Sequence, residues 1–525
     1  QHDRRPDAIP DPHHPMIKRS QLFGHLLCLT SLLAHSVLAQ PGELDPTFGL
    51  NGLGSFGMAA SAEAAEAIAF QSDGSIILAG HTEAATDTTA WVARLLPITG
   101  LPDFTFGQGG VLTVDVGQGP ERAFDVIVDA QDRILVTGFA FTDSLPHLFV
   151  RRLLPNGDVD TSFASFFGNG TYVDLMSQPS AAYSLVATPD GGAVAAGVLS
   201  NEAYRIRFDS TGVATYLGFG LSASGHGATV IRDQAFSGDS VLFAVGDGML
   251  ADRDMLLLTG GSAFFASAQF GQNGFQQLDL GEDEEGHAVA VDGQGRVLVA
   301  GHVGGNFTYD LLVARFLPDG TLDSTFGTNG IIREDLGQAF FLGKDLLVLD
   351  DGRILVLVNT ATAGPTPIYL RAYMPDGTPD AGFGTNGTTI IEVFPVFANG
   401  RGLAAQDTCR ALIAGLRGYP NDQNALVAAI QLDSCGMIST GLPTATPSGF
   451  QLYPNPSTGE VHIQLNGTGP GPREWEVLDL AGRVVLRGRL DGGHAVFRAE
   501  VSPGTYAVRM RTGSEVRTQL LQLVR

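Results

Sequence analysis

A Phe-Gly pair returns seven times along this chain, at Phe48-Gly49, Phe106-Gly107, Phe167-Gly168, Phe219-Gly220, Phe270-Gly271, Phe326-Gly327 and Phe383-Gly384, at intervals of 51 to 61 residues. Self-similarity at such a period restricts the chain to a repeat architecture. Several copies are fuller: Leu44 to Gly52 matches Leu322 to Gly330 almost residue for residue, and Asp380 to Gly387 is a third good copy. The copy at Phe219 is degenerate.

Between the marks each repeat reads as four short strands. In the second they are Val111 to Val116, Ala123 to Asp129, Arg133 to Thr137 and Leu148 to Leu154. The third of these recurs as Ser75 to Gly80, Arg296 to Gly301 and Arg353 to Val356, apolar on both faces, as a strand packed between neighbouring sheets must be. Asp73-Gly74, Asp190-Gly191 and Asp351-Gly352 precede it and supply the positive φ of a tight turn. Four antiparallel strands in a repeat longer than about 40 residues predict a propeller blade. One such sheet cannot bury both faces; a ring of them can. The segment Leu44 to Gly52 carries a mark with no blade before it. The last blade, with strands at 388–393, 402–405, 410–416 and 425–432, lacks a mark of its own. The first segment is therefore expected to dock beside the last blade and close the ring. The expected fold is all-β: a seven-bladed β-propeller over 40–436, or six-bladed if the degenerate region is an insertion, then a small Ig-like β-sandwich. The 68 glycines fall at turns between short apolar runs, which fits.

The repeat, with Val-Ala-Arg-Phe-Leu-Pro-Asp-Gly-Thr-Leu-Asp-Ser-Thr-Phe-Gly at 313–327, resembles the delta-60 repeat family. The resemblance covers about 44–436. It implies a β-propeller and no general catalytic assignment.

Residues 1–15 read as a disordered leader upstream of the true start at Met16. Lys18 and Arg19, the apolar run Leu22 to Leu33 and the small-residue site Val37-Leu38-Ala39 make 16–39 a secretory signal peptide, with cleavage between Ala39 and Gln40. The run is too short and too interrupted to span a bilayer stably. Cys28 lacks the small residue that precedes a lipidated cysteine. No segment of the mature chain is expected to cross a membrane.

Residues 437–449, rich in Ser, Thr, Pro and Gly, read as a linker. Strands then alternate from 450 to 525. The opening Tyr453-Pro454-Asn455-Pro456-Ser457-Thr458-Gly459, the turn Asp479 to Arg483 and Gly504-Thr505-Tyr506 resemble the type A sorting domain of the type IX secretion system of Bacteroidetes. Tyr453, Pro454, Asn455, Pro456 and Gly459 carry the motif. The resemblance implies a partner, the type IX secretion machinery, and a secreted or cell-surface destination.

Cys409 and Cys435, both in the last blade, are expected at the same end of adjacent strands and so in a disulfide. It would contribute roughly 3–4 kcal/mol. Two separate buried thiols are the alternative. Arg94, Arg152, Arg207 and Arg315 recur on one strand, and Asp45, Asp103, Asp160, Asp323 and Asp380 before the mark. A catalytic group is needed once, so repeated pairs read as structural contacts. His81 and His302 also belong to the repeat.

Residues that break the repeat are better candidates. The densest acidic run, Glu282, Asp283, Glu284 and Glu285, could ligate Ca²⁺, but it lacks the spacing and glycine of a calcium loop, and a solvated loop is the simpler expectation. No other cofactor or metal is expected. A formal net charge of −24 repels phosphate backbones, which excludes nucleic acid as a partner. No nucleophile, metalloprotease or phosphate-loop motif is present. The function expected is a monomeric, non-catalytic binding or structural platform for an extracellular protein or glycan. The alternative is an extracellular hydrolase or lyase, acting on polysaccharide or peptide from the propeller channel.

Overall fold

The structure, a computed structural model, describes residues 40–56, 62–84, 87–117, 119–164, 170–218, 227–238, 241–249, 253–260, 270–305, 308–336, 340–360, 366–393, 396–419, 422–433, 450–453, 460–465, 473–478, 483–490, 494–498, 504–512 and 515–523. Every regular element among them is a β-strand, as the periodicity demands. No helix among them is long and apolar enough to cross a membrane.

The chain enters through β1 (Leu53–Phe56). Next, β2 (Ala62–Phe70), β3 (Ile76–Glu83), β4 (Thr88–Leu95) and β5 (Val111–Val114) pair antiparallel in that order. Five further four-stranded sheets repeat the pattern, beginning at Glu121–Val128, Ser180–Ala187, Ala228–Ser237, Asp283–Val291 and Phe341–Val348. A seventh contains Phe397–Ala405, Arg410–Tyr419 and Asp422–Gln431, and its fourth strand is β1, with Leu53 opposite Ala428 and Phe56 opposite Ala425. The first strand of each sheet packs on that of the next, and Phe397–Ala405 packs on β2. Apolar clusters fill the seams: Ile77, Val92, Val126 and Phe149 in one, Leu78, Trp91, Leu412 and Val427 in another. Burying both faces of a sheet this way removes apolar area from water at about 25 cal/mol per Å².

The sequence repeat and the sheet are offset by one strand. The strand after each Phe-Gly mark is the outer strand of the preceding sheet: Val111–Val114 ends the first sheet, and Thr388–Ile391 the sixth. The run 388–393 therefore does not belong to the last blade, and that sheet takes β1 instead. The run at 133–137 is the second strand of its sheet and extends as Ile134–Phe141. The Asp-Gly turns adopt the expected conformation, with φ of 82°, 79° and 84° at Gly74, Gly191 and Gly352.

The third mark also needs correction. Phe167 and Gly168 lie outside the described residues, as do Phe219 and Gly220. The position equivalent to Phe48, Phe106, Phe326 and Phe383 is Phe163, fully buried like them. Ala164 stands where the others have glycine and still adopts φ 48°.

Near the C-terminus, Phe450–Tyr453, Glu460–Leu465 and His494–Arg498 form one sheet. Val484–Arg489, Arg473–Leu478, Gly504–Thr512 and Glu515–Leu523 form another. Val461, Ile463, Trp475, Val477, Phe497, Val508 and Leu521 pack into a common core. Residues 1–39, the linker 437–449, Cys435, the Pro454 to Gly459 stretch and the Asp479 to Gly482 turn lie outside the described residues.

Candidate functional site

The first strand of each of the seven propeller sheets carries an extra residue at one equivalent position. The register of pairing shifts at Glu66, Phe124, Tyr183, Arg232, His287, Lys344 and Arg401. A β-bulge turns its extra side chain out of the sheet, and bulges gather beside functional sites. All seven side chains line one cavity of about 140 Å³. Only a space on the axis of the ring can be lined from all seven sheets, so this is the central channel. A second cavity of about 190 Å³ shares Glu66, Phe124 and Arg401 and adds His81, Glu83 and Arg122.

The glycine that closes the apolar run in six of the seven propeller sheets belongs to the same device. A Cβ on Gly138 would stand 1.8 Å from the carbonyl oxygen of Arg122, and one on Gly301 1.8 Å from that of Glu285. The bulge drives this carbonyl onto the neighbouring strand, and glycine leaves room for it; in the sixth sheet Val358 stands at this place, opposite Gly343.

Beside the bulge, three alternate sheets carry an aspartate that ties them to the next sheet. Asp125 accepts the N–H of Leu185 at 2.6 Å, Asp233 that of Val289 at 2.8 Å and Asp345 that of Leu403 at 2.5 Å. Each also accepts the N–H of the residue after it, at 2.7 Å. Burial raises all three carboxyls: Asp233 to about 6, and Asp345, with repulsion from Asp233 added, to about 8.

The ring is chemically divided. Phe124 and Tyr183 pack with ring centroids 5.1 Å apart, and Phe139 backs Phe124 at 5.7 Å. Opposite this aromatic ledge stand Arg232, His287, Lys344 and Arg401. Arg232 pairs with Asp247 at 2.7 Å and Glu285 at 3.3 Å. Among the described residues Arg401 pairs only with Glu66, at 3.7 Å. Lys344 makes no ion pair among the described residues; burial first, then Arg401 and Arg232, push it down to about 8. His287 and His302 lie 5.3 Å apart, and both are held neutral by burial.

Sequence reasoning passed over Lys344, although a signal was available. Lysine occurs only at positions 18 and 344, against 29 arginines, and Lys18 belongs to the expected signal peptide. The bulged residues themselves carry no common letter, so nothing in the repeat announces them.

The acidic run behaves differently from a calcium loop. Asp283, Glu284 and Glu285 lie in the strand Asp283–Val291 rather than in a loop, so successive side chains part to opposite faces. Glu282 pairs with Arg333 at 2.5 Å. Asp283 accepts the N–H of Arg253 at 3.3 Å. Glu284 is buried, with Asp254 and Asp279 within 4.8 Å, and burial raises it to about 7. Glu285 clusters with His287 and His302 within 4.8 Å, a spacing that could hold a metal ion. Arg232 and Arg253 already neutralise Glu285, and Lys344 faces both imidazoles. That field favours an anion over a cation.

The repeated Arg and Asp side chains stay outside the channel. Arg94 meets Asp103 at 2.8 Å, Arg152 meets Asp160 at 2.8 Å and Arg315 meets Asp323 at 2.9 Å. Arg410 pairs with Asp45. Arg207 departs from the pattern and pairs with Asp190. The guanidiniums of Arg94, Arg152 and Arg315 also lie over a Phe ring, at 4.8 Å for Phe106, 4.6 Å for Phe163 and 4.5 Å for Phe326. Each then donates to a carbonyl of the next sheet, Arg94 to Pro155 at 2.8 Å and Arg152 to Ser210 at 2.6 Å. His81 sits at the rim, 3.7 Å from Glu66.

Comparison with known proteins places two regions. Residues 451–523 match the secretion system C-terminal sorting domain. Residues 132–163 and 295–326 match a β-propeller domain of unknown function, DUF5122. No curated protein matches the chain at a significant level. Among solved structures, polysaccharide lyase Uly1 is similar at 12% identity and a TM-score of 0.45, over 70% of this chain and 90% of that one. Sqt1 of Chaetomium thermophilum is similar at 12% identity and a TM-score of 0.41, over 73% and 98%. The β-propeller domain of the Trilobed protease from Pyrococcus furiosus is similar at 7% identity and a TM-score of 0.38, over 71% and 97%.

Proposed function

From a β-propeller chain with a type IX sorting tail, which sends it to the cell surface or the extracellular space, we propose a binding protein whose ligand enters the axial channel and is held by the ring of bulged side chains. The observation that carries this reading is the ring itself: seven equivalent positions hold Glu, Phe, Tyr, Arg, His, Lys and Arg, whereas the surrounding repeat is conserved in kind from sheet to sheet. A purely structural position would repeat its chemistry as the Arg–Asp–Phe contacts do. An aromatic ledge facing cations suits a ligand with a flat apolar face and a negative charge, such as a carboxylate-bearing sugar. A chain of net charge −24 repels densely anionic polymers that come within the Debye length of about 8 Å, so the ligand is sparsely charged.

Binding is favoured over hydrolysis or elimination because three of the four carboxyls in the lining are engaged; the fourth, Glu66, lies 3.7 Å from Arg401 and from His81. The three aspartates each accept two backbone N–H groups, and Glu285 is matched by arginine. The seven sheets, with β1 completing the last, support seven blades rather than six, and the two C-terminal sheets around one core support an Ig-like sandwich. In the mature protein, the signal peptide is removed before Gln40. A disulfide joins Cys409 to Cys435, a reading supported by the Leu432 N–H donating to the Cys409 carbonyl at 2.8 Å. Intact mass without reductant tests it: two free thiols would end it.

The channel reading is tested with the exported full-length chain, by calorimetry against neutral and carboxylate-bearing oligosaccharides. A ligand should bind and be lost in Arg401→Trp, whose indole fills the channel from an exposed bulge, while the melting temperature holds. No binding across the panel, or equal binding by Arg401→Trp, would overturn it.

A further inference from the structure

After the expected cleavage site the chain holds one lysine among its many arginines, and the fold delivers it to the channel. Everywhere else a cation is wanted, arginine supplies it: in the Asp pairs, over the Phe rings and on Glu285. An ammonium and a guanidinium differ in one chemical respect that matters here. Lysine can lose its proton and become a nucleophile; arginine cannot under physiological conditions. A lysine is activated by desolvation or by a neighbouring cation, and Lys344 has both, half-buried in the channel wall with Arg401 and Arg232 in the same lining.

We propose that Lys344 Nζ is a reactive amine that captures the carbonyl group of a small anionic ligand as an imine, a proposal that rests on the channel being the ligand site. The chemistry needs no oxidant, reductant or second substrate. The Nζ lone pair attacks the carbonyl carbon, and the C=O π pair moves to oxygen. A proton passes from nitrogen to oxygen, giving a carbinolamine. Protonation of its hydroxyl and departure of water leave the protonated imine, and water reverses the sequence. The ammonium gives its first proton to solvent water; His287, held neutral by burial in the same lining, adds no charge beside it. Arg401, whose nearest carboxylate lies 3.7 Å away, beyond hydrogen-bond reach, is the cation free to receive a ligand carboxylate. The ligand class is therefore an oxo acid, or a sugar acid with a free aldehyde.

A pKa near 8 leaves on the order of a hundredfold more free amine at pH 7 than an ordinary lysine has. The single lysine makes the experiment clean. The exported full-length chain is incubated with glyoxylate or pyruvate and cyanoborohydride, and the adduct is located by peptide mapping. One reduced adduct is expected on the Lys344 peptide, with capture of glyoxylate exceeding that of uncharged acetaldehyde. Lys344→Arg, which keeps the charge and the fold, should lower trapping by more than about tenfold while its melting temperature stays unchanged. Adduct confined to the N-terminal amine, or trapping retained in Lys344→Arg, overturns the proposal. Should a carboxylate-bearing ligand bind, and bind less in Arg401→Trp, while Lys344 gives no adduct, the reactive amine falls and the channel site stands. If adduct forms equally in Arg401→Trp, Lys344 is modified without help from Arg401 or room in the channel, and the proposed capture of an anionic ligand falls.

Discussion

In Arg315 one guanidinium meets three needs: the carboxylate of Asp323, the ring of Phe326 and the carbonyl of Pro375 in the next sheet. Its side chain is 2% exposed and that of Asp323 6%, so each charge depends on the other. The Arg315 fork also reaches Thr325 at 3.2 Å, and Thr325 in turn donates to Asp323. Arg315→Ala leaves the buried Asp323 carboxylate with only Arg296, at 3.6 Å, as a cationic partner among the described residues and should cost about 3 kcal/mol. Arg315→Lys should recover only part, because an ammonium lacks the planar fork. Urea unfolding of the full chain measures both, and an alanine variant as stable as the parent would show the contact to be idle. This contact was legible from repetition alone, since Arg and Asp recur at fixed places relative to Phe-Gly. Lys344 was not, because its meaning depends on seven distant strands converging. Its rarity was visible, but rarity does not say where a side chain points.

At the scale of the element, the bulge and the glycine opposite it form one unit. The apolar run ending in glycine could be read as a buried strand, but the reason for the glycine lies on another strand. It makes room for a carbonyl displaced by the bulge. Gly138→Ala would place a methyl group 1.8 Å from the Arg122 carbonyl and should destabilise by about 1–3 kcal/mol as the bulge is forced flat. It should also disturb Phe124 and so weaken channel binding. Gly293→Ala, where a Cβ meets nothing within 4 Å, is the control and should melt with the parent. A Gly138→Ala variant that melts with it would separate glycine from bulge. The offset between repeat and sheet has a related cause. A linear motif marks the loop it sits in, whereas a sheet is defined by hydrogen bonds between strands. The strand after the mark pairs backwards, with Val111 opposite Ala93. Phe163 and Ala164 show the other limit of the motif: burial and backbone conformation survive where the Phe-Gly letters do not.

At the scale of the whole molecule, closure depends on seventeen N-terminal residues. Gly384 donates to Pro41 at 2.8 Å, Gly42 to Gln431 at 2.7 Å, and β1 lies along Ala425 to Ala428. Removing residues 40–56 exposes the edge of Asp422–Gln431, an invitation to aggregation. It should lower the melting temperature sharply and produce concentration-dependent association in light scattering. A truncated chain that melts as before would mean that the ring does not need its clasp. What the sequence by itself determined was whatever is written locally and repeatedly: all-β sheets about a period, positive-φ turns, Arg–Asp contacts, a C-terminal sorting domain. Short-range sterics and the alternation of apolar residues suffice for the sheets and turns, recurrence for the Arg–Asp contacts, and resemblance to a known family for the sorting domain. Only the tertiary structure decided which strands share a sheet and which seven side chains face each other across the axis. A bulge rotates one residue out of the alternation, and a channel is made of residues tens to hundreds of positions apart. No local pattern records either.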